Sequence, residues 1–208
     1  ARFPTMNELY WNPGGNRDLD PMRSWKKELA VRYSNKGWQF QQVFYRSVIE
    51  SYIEWVPGPS SYFIVSQQRY VAARGAESHL SYGSSRGAWK YKINGIYNYT
   101  RAISGRVFSP LNPQRIFVPE HSGALTLTLE RGPVQIMYVH NYTSDRSIST
   151  DTDDVVGGYQ LADFNASYTF KAFQLTVRVR NICNANYYVL PQRPMPMRNF
   201  ELNIKYHF

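Results

Sequence analysis

Residues 198–208, RNFELNIKYHF, alternate without a break: Phe200, Leu202, Ile204, Tyr206 and Phe208 fall on one parity, Asn199, Glu201, Asn203, Lys205 and His207 on the other. Successive side chains of an extended strand point to opposite faces, so this stretch predicts a strand with one apolar and one polar face. KAFQLTVRVRN repeats the pattern, with Phe173, Leu175, Val177 and Val179 opposing Gln174, Thr176, Arg178 and Arg180. GALTLTLER sets Leu125, Leu127 and Leu129 against Thr126, Thr128 and Glu130. WKYKINGIYNYT sets Trp89, Tyr91 and Ile93 against Lys90, Lys92 and Asn94, and DFNASYTF sets Phe164, Ala166, Tyr168 and Phe170 against Asn165, Ser167 and Thr169. Alternation, β-branched and aromatic content and intervening turn residues together predict nine strands, near residues 22–33, 38–55, 66–83, 87–101, 121–131, 133–143, 158–170, 172–181 and 198–208. SWKKELAVRY also admits an amphipathic helix with Trp25, Leu29 and Val31 inward, but its tail fits period two and it is read as strand.

Two architectures produce such strands. A water-soluble sandwich buries the apolar face against a second sheet, whereas a transmembrane barrel turns it to lipid and keeps the polar face for the lumen. Parity alone does not separate them. Arginines on the polar face, Arg178 and Arg180, point to a wet interior. Several strands run past about ten residues, beyond the usual length in soluble sheets and near what a tilted strand needs to cross a bilayer. The connections 34–37, 84–86, 131–132 and 171 are tight, while 56–65, 102–120, 144–157 and 182–197 are long. Short turns at one end and long loops at the other are the asymmetry of outer-membrane barrels. The predicted fold is therefore all-β, an antiparallel transmembrane β-barrel.

Composition agrees with this. Of 208 residues, 16% are aromatic, among them 17 tyrosines, and mean hydropathy is −0.49; tyrosine and tryptophan favour the boundary between an apolar band and water. The net charge of +9 is scattered, with no cationic run longer than Lys26 and Lys27, which argues against a nucleic-acid partner. Cys183 is the single cysteine, so it forms no internal disulfide or thiolate cluster and is expected to be an ordinary packed residue. No stretch reaches the length of an apolar membrane helix, and ARFPTMNELY lacks the features of a signal peptide.

Candidate chemistry is sparse. His79, His121, His140 and His207 could pair with acids as general bases in a small outer-membrane hydrolase, but no Gly-x-Ser-x-Gly or His-Glu-x-x-His spacing supports it, and a structural role is expected. Asp151, Asp153 and Asp154 resemble a calcium loop only in composition, lacking its glycine and distal glutamate; a solvated loop is expected, with a weak external calcium site as the alternative. Trp11, Trp38 and Trp55 would be the stacking residues of a third reading, a soluble sugar-binding β-sandwich. No enzyme activity and no cofactor are expected.

RFPTMNELYWNPGGNRDLDPMRSWKKELAVRY, residues 2–33, resembles the mid-barrel segment of TonB-dependent outer-membrane receptors, where a Phe-Arg-x-Pro-Thr type motif leads to Gly-Asn-x-x-Leu-x-Pro-Glu and a Glu-containing strand. Arg2, Pro4, Thr5, Glu8, Leu9, Tyr10, Gly15, Asn16, Leu19, Pro21 and Glu28 fit, and Met22 stands where the family usually has glutamate. VRVRNICNANYYVLPQRPMPMRNFELNIKYHF resembles the closing hairpin: Asn181, Tyr187, Pro194, Pro196 and Arg198 match, and Met197 replaces the customary glycine. ARGAES, residues 73–78, is similar to the family's Arg-Gly-Val-Glu strand. Phe208 at the end of the strand carrying Phe200, Leu202, Ile204 and Tyr206 resembles the signature by which outer-membrane proteins are recognised for insertion.

The resemblance implies a barrel of about 22 strands closed by a plug, importing a scarce ligand such as cobalamin or a ferric siderophore when the TonB complex pulls on the plug. Residues 1–208 would be the C-terminal portion of that barrel domain, about nine strands, with the plug domain, the signal peptide and the other strands in sequence outside this chain. The implied partners are outer-membrane lipid, the protein's own plug and missing strands, the TonB complex acting through the plug, a small-molecule ligand and a surface lipoprotein. Tyr10, Trp11, Asn12, Tyr187, Tyr188 and Arg193 are the loop residues expected to meet ligand or plug, because aromatic and guanidinium groups supply contact area and fixed donors. Glu130, Arg178, Arg180 and Glu201 are expected to form a lumen charge network facing the plug.

Overall fold

The computed structural model describes residues 1–58, 62–109, 112–149 and 154–206. Nine strands pair in one sheet in the order β1-β2-β3-β4-β5-β6-β9-β10-β13. They are β1 (Arg23–Asn35), β2 (Trp38–Pro57), β3 (Phe63–Arg86), β4 (Trp89–Ser104), β5 (His121–Arg131), β6 (Val134–Thr143), β9 (Tyr159–Phe170), β10 (Phe173–Arg180) and β13 (Asn199–Tyr206). Each long strand therefore pairs with the next long strand in the chain. Two small hairpins, β7 (Arg146–Ser147) with β8 (Val155–Val156) and β11 (Tyr188–Leu190) with β12 (Arg193–Pro194), sit in the connections.

All nine expected strands are present, SWKKELAVRY among them. The connection expected over 56–65 is reduced to 58–62, because alternation continues through Trp55 and from Phe63 and the strands extend accordingly. An α-helix, α1 (Met6–Tyr10), was not anticipated. The tight turns rely on left-handed backbone at Lys36 and Gly37, at Gly132 and at Lys171, which lets a two-residue connection follow the twist of its strands.

The chain divides into two compact units, and β1, β2, β3 and β4 contribute residues to both. The unit of residues 30–43, 76–100 and 116–208 contains most of the sheet. Its antiparallel register sets one apolar row across six strands: Ile93, Leu127, Tyr138, Phe164, Val179 and Phe200. A neighbouring row of the other parity reads Lys92, Thr128, Met137, Asn165, Arg178 and Glu201. A slip of one residue on any strand would exchange the faces, so the pattern holds the register. The apolar rows are not buried against a second sheet: Leu127 is 38% exposed, Val177 41% and Leu202 65%. A soluble sandwich would have enclosed them. Polar groups on this lipid-type alternation satisfy one another, as at Ser78, whose hydroxyl donates to Gln42 Oε1 at 2.6 Å.

The unit of residues 1–29, 44–75 and 101–115 holds the buried apolar clusters. Leu19, Ile53 and Val65 form one, with Leu9 and Met22 against it. Val48, Ala72 and Ile103 form the other, under Tyr70 and Phe108. Gly14 is required by close approach: a Cβ there would lie 2.1 Å from the Phe63 carbonyl oxygen, and Val65 N–H donates to the Gly14 carbonyl at 2.8 Å.

Candidate functional site

The N-terminal segment of the first-described motif is tied down by a carboxylate. Thr5 caps α1 in a reciprocal capping box with Glu8, accepting from the Glu8 N–H at 3.3 Å while the Thr5 N–H donates to Glu8 Oε2 at 2.7 Å. Arg2 adds a two-pronged ion pair, Nη2 to Oε1 at 2.8 Å and Nη1 to Oε2 at 3.2 Å. Those bonds from Arg2, with the Thr5 donors, hold the nearly buried Glu8 carboxyl below its ordinary range despite the opposing effect of burial. Arg2 and Met22 exchange backbone hydrogen bonds of 2.9 Å in each direction, closing the segment. The Met22 sulfur accepts from Arg2 Nε at 3.1 Å, and its side chain packs on the Leu19 cluster. The signal for this helix was in the sequence: Thr5-x-x-Glu8 is a capping-box spacing.

Beyond the helix, Trp11 lines a cavity of about 520 Å³ with Thr5, Asn7, Trp55, Tyr62 and Phe63. Tyr10 and Asn12 are exposed beside it in sequence, and the Arg17 guanidinium lies 5.1 Å from the Tyr10 ring centre. Asn7, Tyr62 and Phe63 were not expected at a site, and Trp55 only in the sugar-binding reading. Deeper in the same unit, Arg115 pairs with Glu54, donates to Ser104 Oγ at 2.8 Å and lies 4.9 Å from the Tyr52 ring centre.

In the other unit, the connection after β10 is organised by Asn181, a buried side chain with all its groups engaged. It donates to the carbonyls of Ala185 at 2.8 Å and Pro196 at 3.4 Å and accepts from the Ala185 N–H at 2.9 Å. Arg198 donates to the Ile182 carbonyl at 3.3 Å, and its N–H to Asn184 Oδ1 at 3.0 Å. Tyr187 is half-buried against Tyr159, ring centres 4.9 Å apart, and burial together with the neighbouring Tyr159 and Asp163 raises its phenol above the usual range. Tyr188 and Arg193 are exposed on the small hairpin, whose Tyr188 and Val189 carbonyls accept from the buried Arg146.

Arg178 and Arg180 both reach Glu201, at 3.1 and 3.2 Å, because Arg178 stands directly opposite Glu201 in the register. Beside them Gln135, Asn165, Ser167 and Thr176 line a polar cavity of about 240 Å³. Glu130 is not in this group. It lies on β5, with β6 and β9 between it and β10, and its Oε1 accepts from Gln135 at 2.9 Å.

With these arrangements in view, the sequence profile of the family described as TonB dependent receptor-like, beta-barrel matches residues 1–182. The chain belongs to this family. Among its relatives, it is 28% identical over 188 residues to the vitamin B12 transporter BtuB of Vibrio vulnificus, covering 89% of this chain and 29% of that protein. It is 26% identical over 216 residues to the vitamin B12 transporter BtuB of Photobacterium profundum, covering 100% of this chain and 34% of that protein. The chain thus spans about a third of the length of the curated relatives it matches. Among solved structures, the copper transporter OprC shares the fold at TM-score 0.80 and 18% identity, covering all of this chain and 35% of that one. The ferric-catecholate import receptor Fiu of K12 E. coli does so at 0.69 and 19%, covering 96% of this chain and 30% of that one. The nine-stranded antiparallel sheet is therefore part of a TonB-dependent receptor barrel.

Two of the histidines weighed in the hydrolase reading, His121 and His140, bond tyrosines. His121 Nδ1 and Tyr97 Oη lie 2.7 Å apart, and His140 Nδ1 and Tyr138 Oη 3.2 Å. Both pairs stand on the apolar parity of their strands, with His140 opposite Leu125 and Tyr97 beside Gly123. Cys183 is exposed rather than packed, since Asn181 and Asn184 hold the turn around it in backbone geometry that leaves its side chain outside. Among the described residues no group of three or more metal-binding side chains gathers. Asp151 and Asp153, like His207 and Phe208, lie outside the described residues, and Asp154 is exposed.

Proposed function

We propose that residues 1–208 are the C-terminal portion of the barrel of an outer-membrane transporter that takes up a scarce, bulky nutrient, of the cobalamin or ferric-siderophore class, without enzymatic chemistry. The observation that carries the reading is the exposed apolar face repeated across strands long enough to cross a bilayer, in a chain that belongs to the TonB-dependent receptor barrel family. The relatives named as vitamin B12 transporters support the cobalamin class. A plug, supplied with the signal peptide by the rest of the protein, would contact the polar row at Arg178, Arg180 and Glu201 and would transmit the pull of the TonB complex. Tyr10, Trp11, Asn12, Tyr188 and Arg193 offer exposed aromatic, amide and guanidinium surface to the cargo, and Tyr187 supports the loop from behind.

The test is calorimetric titration of the whole receptor with cyanocobalamin and, separately, with a ferric catecholate. Saturable binding of either is expected, and replacement of Trp11 or Arg193 by alanine is expected to weaken it about tenfold. Failure of the whole, folded receptor to bind either class would overturn the cargo assignment.

A further inference from the structure

One buried cation joins two of the long connections. Residues 144–158 follow β6 and carry the β7–β8 hairpin, and residues 181–198 follow β10 and carry β11–β12. Both connections belong to the same compact unit. The Asn181 N–H, at the root of the second, donates to Asp163 Oδ1 at 2.8 Å. Between the hairpins, Arg146 donates from Nη1 to the Val189 carbonyl at 3.1 Å and from Nη2 to the Tyr188 carbonyl at 2.8 Å. Its guanidinium carbon lies 5.5 Å from the centre of the Tyr159 ring, which packs on Tyr187 with ring centres 4.9 Å apart.

This placement is costly for a cation. Arg146 is 6% exposed, and among the described residues it is in no ion pair and its Nε has no acceptor. Asp145 and Asp163 spend their Oδ1 atoms on the N–H groups of Gly158 and Asn181. An apolar side chain of similar volume would fill the space without burying a charge. What it would lack is direction, because a planar guanidinium meets two successive carbonyls only when the hairpin stands in one place. Departure of the hairpin breaks those two bonds and returns water to the guanidinium. The regained hydration offsets the lost bonds, so a contact on the exposed side of the hairpin tips the balance between docked and released states.

We propose that Arg146 is a positioning residue for the β11–β12 hairpin, coupling it to the β7–β8 connection so that cargo held at Tyr188 and Arg193 orders both. This inference rests on the cargo reading above. Arg146 reaches the hairpin through backbone carbonyls, which leaves the Tyr188 and Arg193 side chains exposed. The coupling is reciprocal: order imposed on residues 144–158 steadies the hairpin as much as the hairpin steadies them.

The experiment is hydrogen-exchange mass spectrometry of the whole receptor in neutral detergent, free and with cyanocobalamin, on the parent, Arg146→Met and Arg146→Lys. In the parent, cyanocobalamin is expected to slow exchange at both hairpins about tenfold. In Arg146→Met the cargo-free exchange of residues 188–193 is expected to rise at least about tenfold. Protection of residues 146–148 by cyanocobalamin is then expected to fall below about twofold, while that of residues 188–193 remains. Arg146→Lys keeps the charge without the fork; it is expected to move both readings the same way by less, and it decides the matter if the methionine variant does not fold. Undiminished protection of both hairpins in the variants would overturn the coupling. So would faster exchange spread equally through β9 and β10, the mark of general loosening, or cyanocobalamin that binds the parent and protects only one hairpin. A parent that binds no cyanocobalamin loses the cargo reading instead. Cargo-free exchange then decides the role of Arg146: a rise confined to residues 188–193 in Arg146→Met sustains it, and no rise removes it.

Discussion

Glu8 shows how much of a motif can be structural. The residues that carry the resemblance in the first segment hold one another: Arg2 and Thr5 on the Glu8 carboxylate, Leu9 and Leu19 in the core, and the Asn16 N–H on the Glu8 carbonyl at 2.8 Å. Glu8 titrates lower in the folded protein than in the unfolded chain, so its contribution is complete above the ordinary carboxylate range and is lost as the pH falls through the depressed value, below 4.5. Glu8→Gln should cost about 1–2 kcal/mol, discounted because Arg2 is nearly half exposed. Amide exchange of residues 2–11 should then lose its acid dependence; retention of that dependence in the variant would assign it to another group. The Arg178 and Glu201 pair is more exposed, and a double-alanine cycle should yield a coupling of about 0.2–1 kcal/mol that shrinks in high salt. A larger, salt-insensitive coupling would place the pair in a drier setting than the polar row described above.

At the level of elements, parity decides what each strand tolerates. Leu127 and Thr128 are adjacent on β5 and belong to opposite faces, Leu127 opposite Tyr138 and Thr128 opposite Met137. Leu127→Arg should therefore cost about 2–4 kcal/mol in urea unfolding of the whole receptor from vesicles, and Thr128→Arg much less. Equal costs would mean that both faces meet the same solvent. The nine strands were legible because period two is a local property, visible within any one segment. The helix of residues 6–10 escaped because five residues are too few for a helical period to show, and only its cap spacing marks it. That Glu130 bonds Gln135 and not Arg178 escaped for a related reason: parity places both on the polar face, but only strand order separates them.

For the molecule as a whole, exposed apolar rows and edge strands dominate behaviour. Among the described residues β1 and β13 each pair on one side only, and β13 exposes Phe200, Leu202 and Ile204 at 65% or more. Unpaired strand edges and contiguous apolar surface are not tolerated in water. Residues 1–208 expressed alone should enter solution only with detergent, as seen by sedimentation with and without micelles; a monodisperse detergent-free species would restore the soluble sandwich reading.

What the sequence by itself determined is the alternation of faces, the tight and long connections and the family motifs, because each is written in neighbouring residues. Only the tertiary structure decided which charges meet. Register set Arg178 against Glu201 and left Glu130 to Gln135, and the meeting of two connections put Arg146 on the Tyr188 and Val189 carbonyls. These pairings join residues apart in the chain, and their partners are set by register and by closing long loops, which no local period encodes.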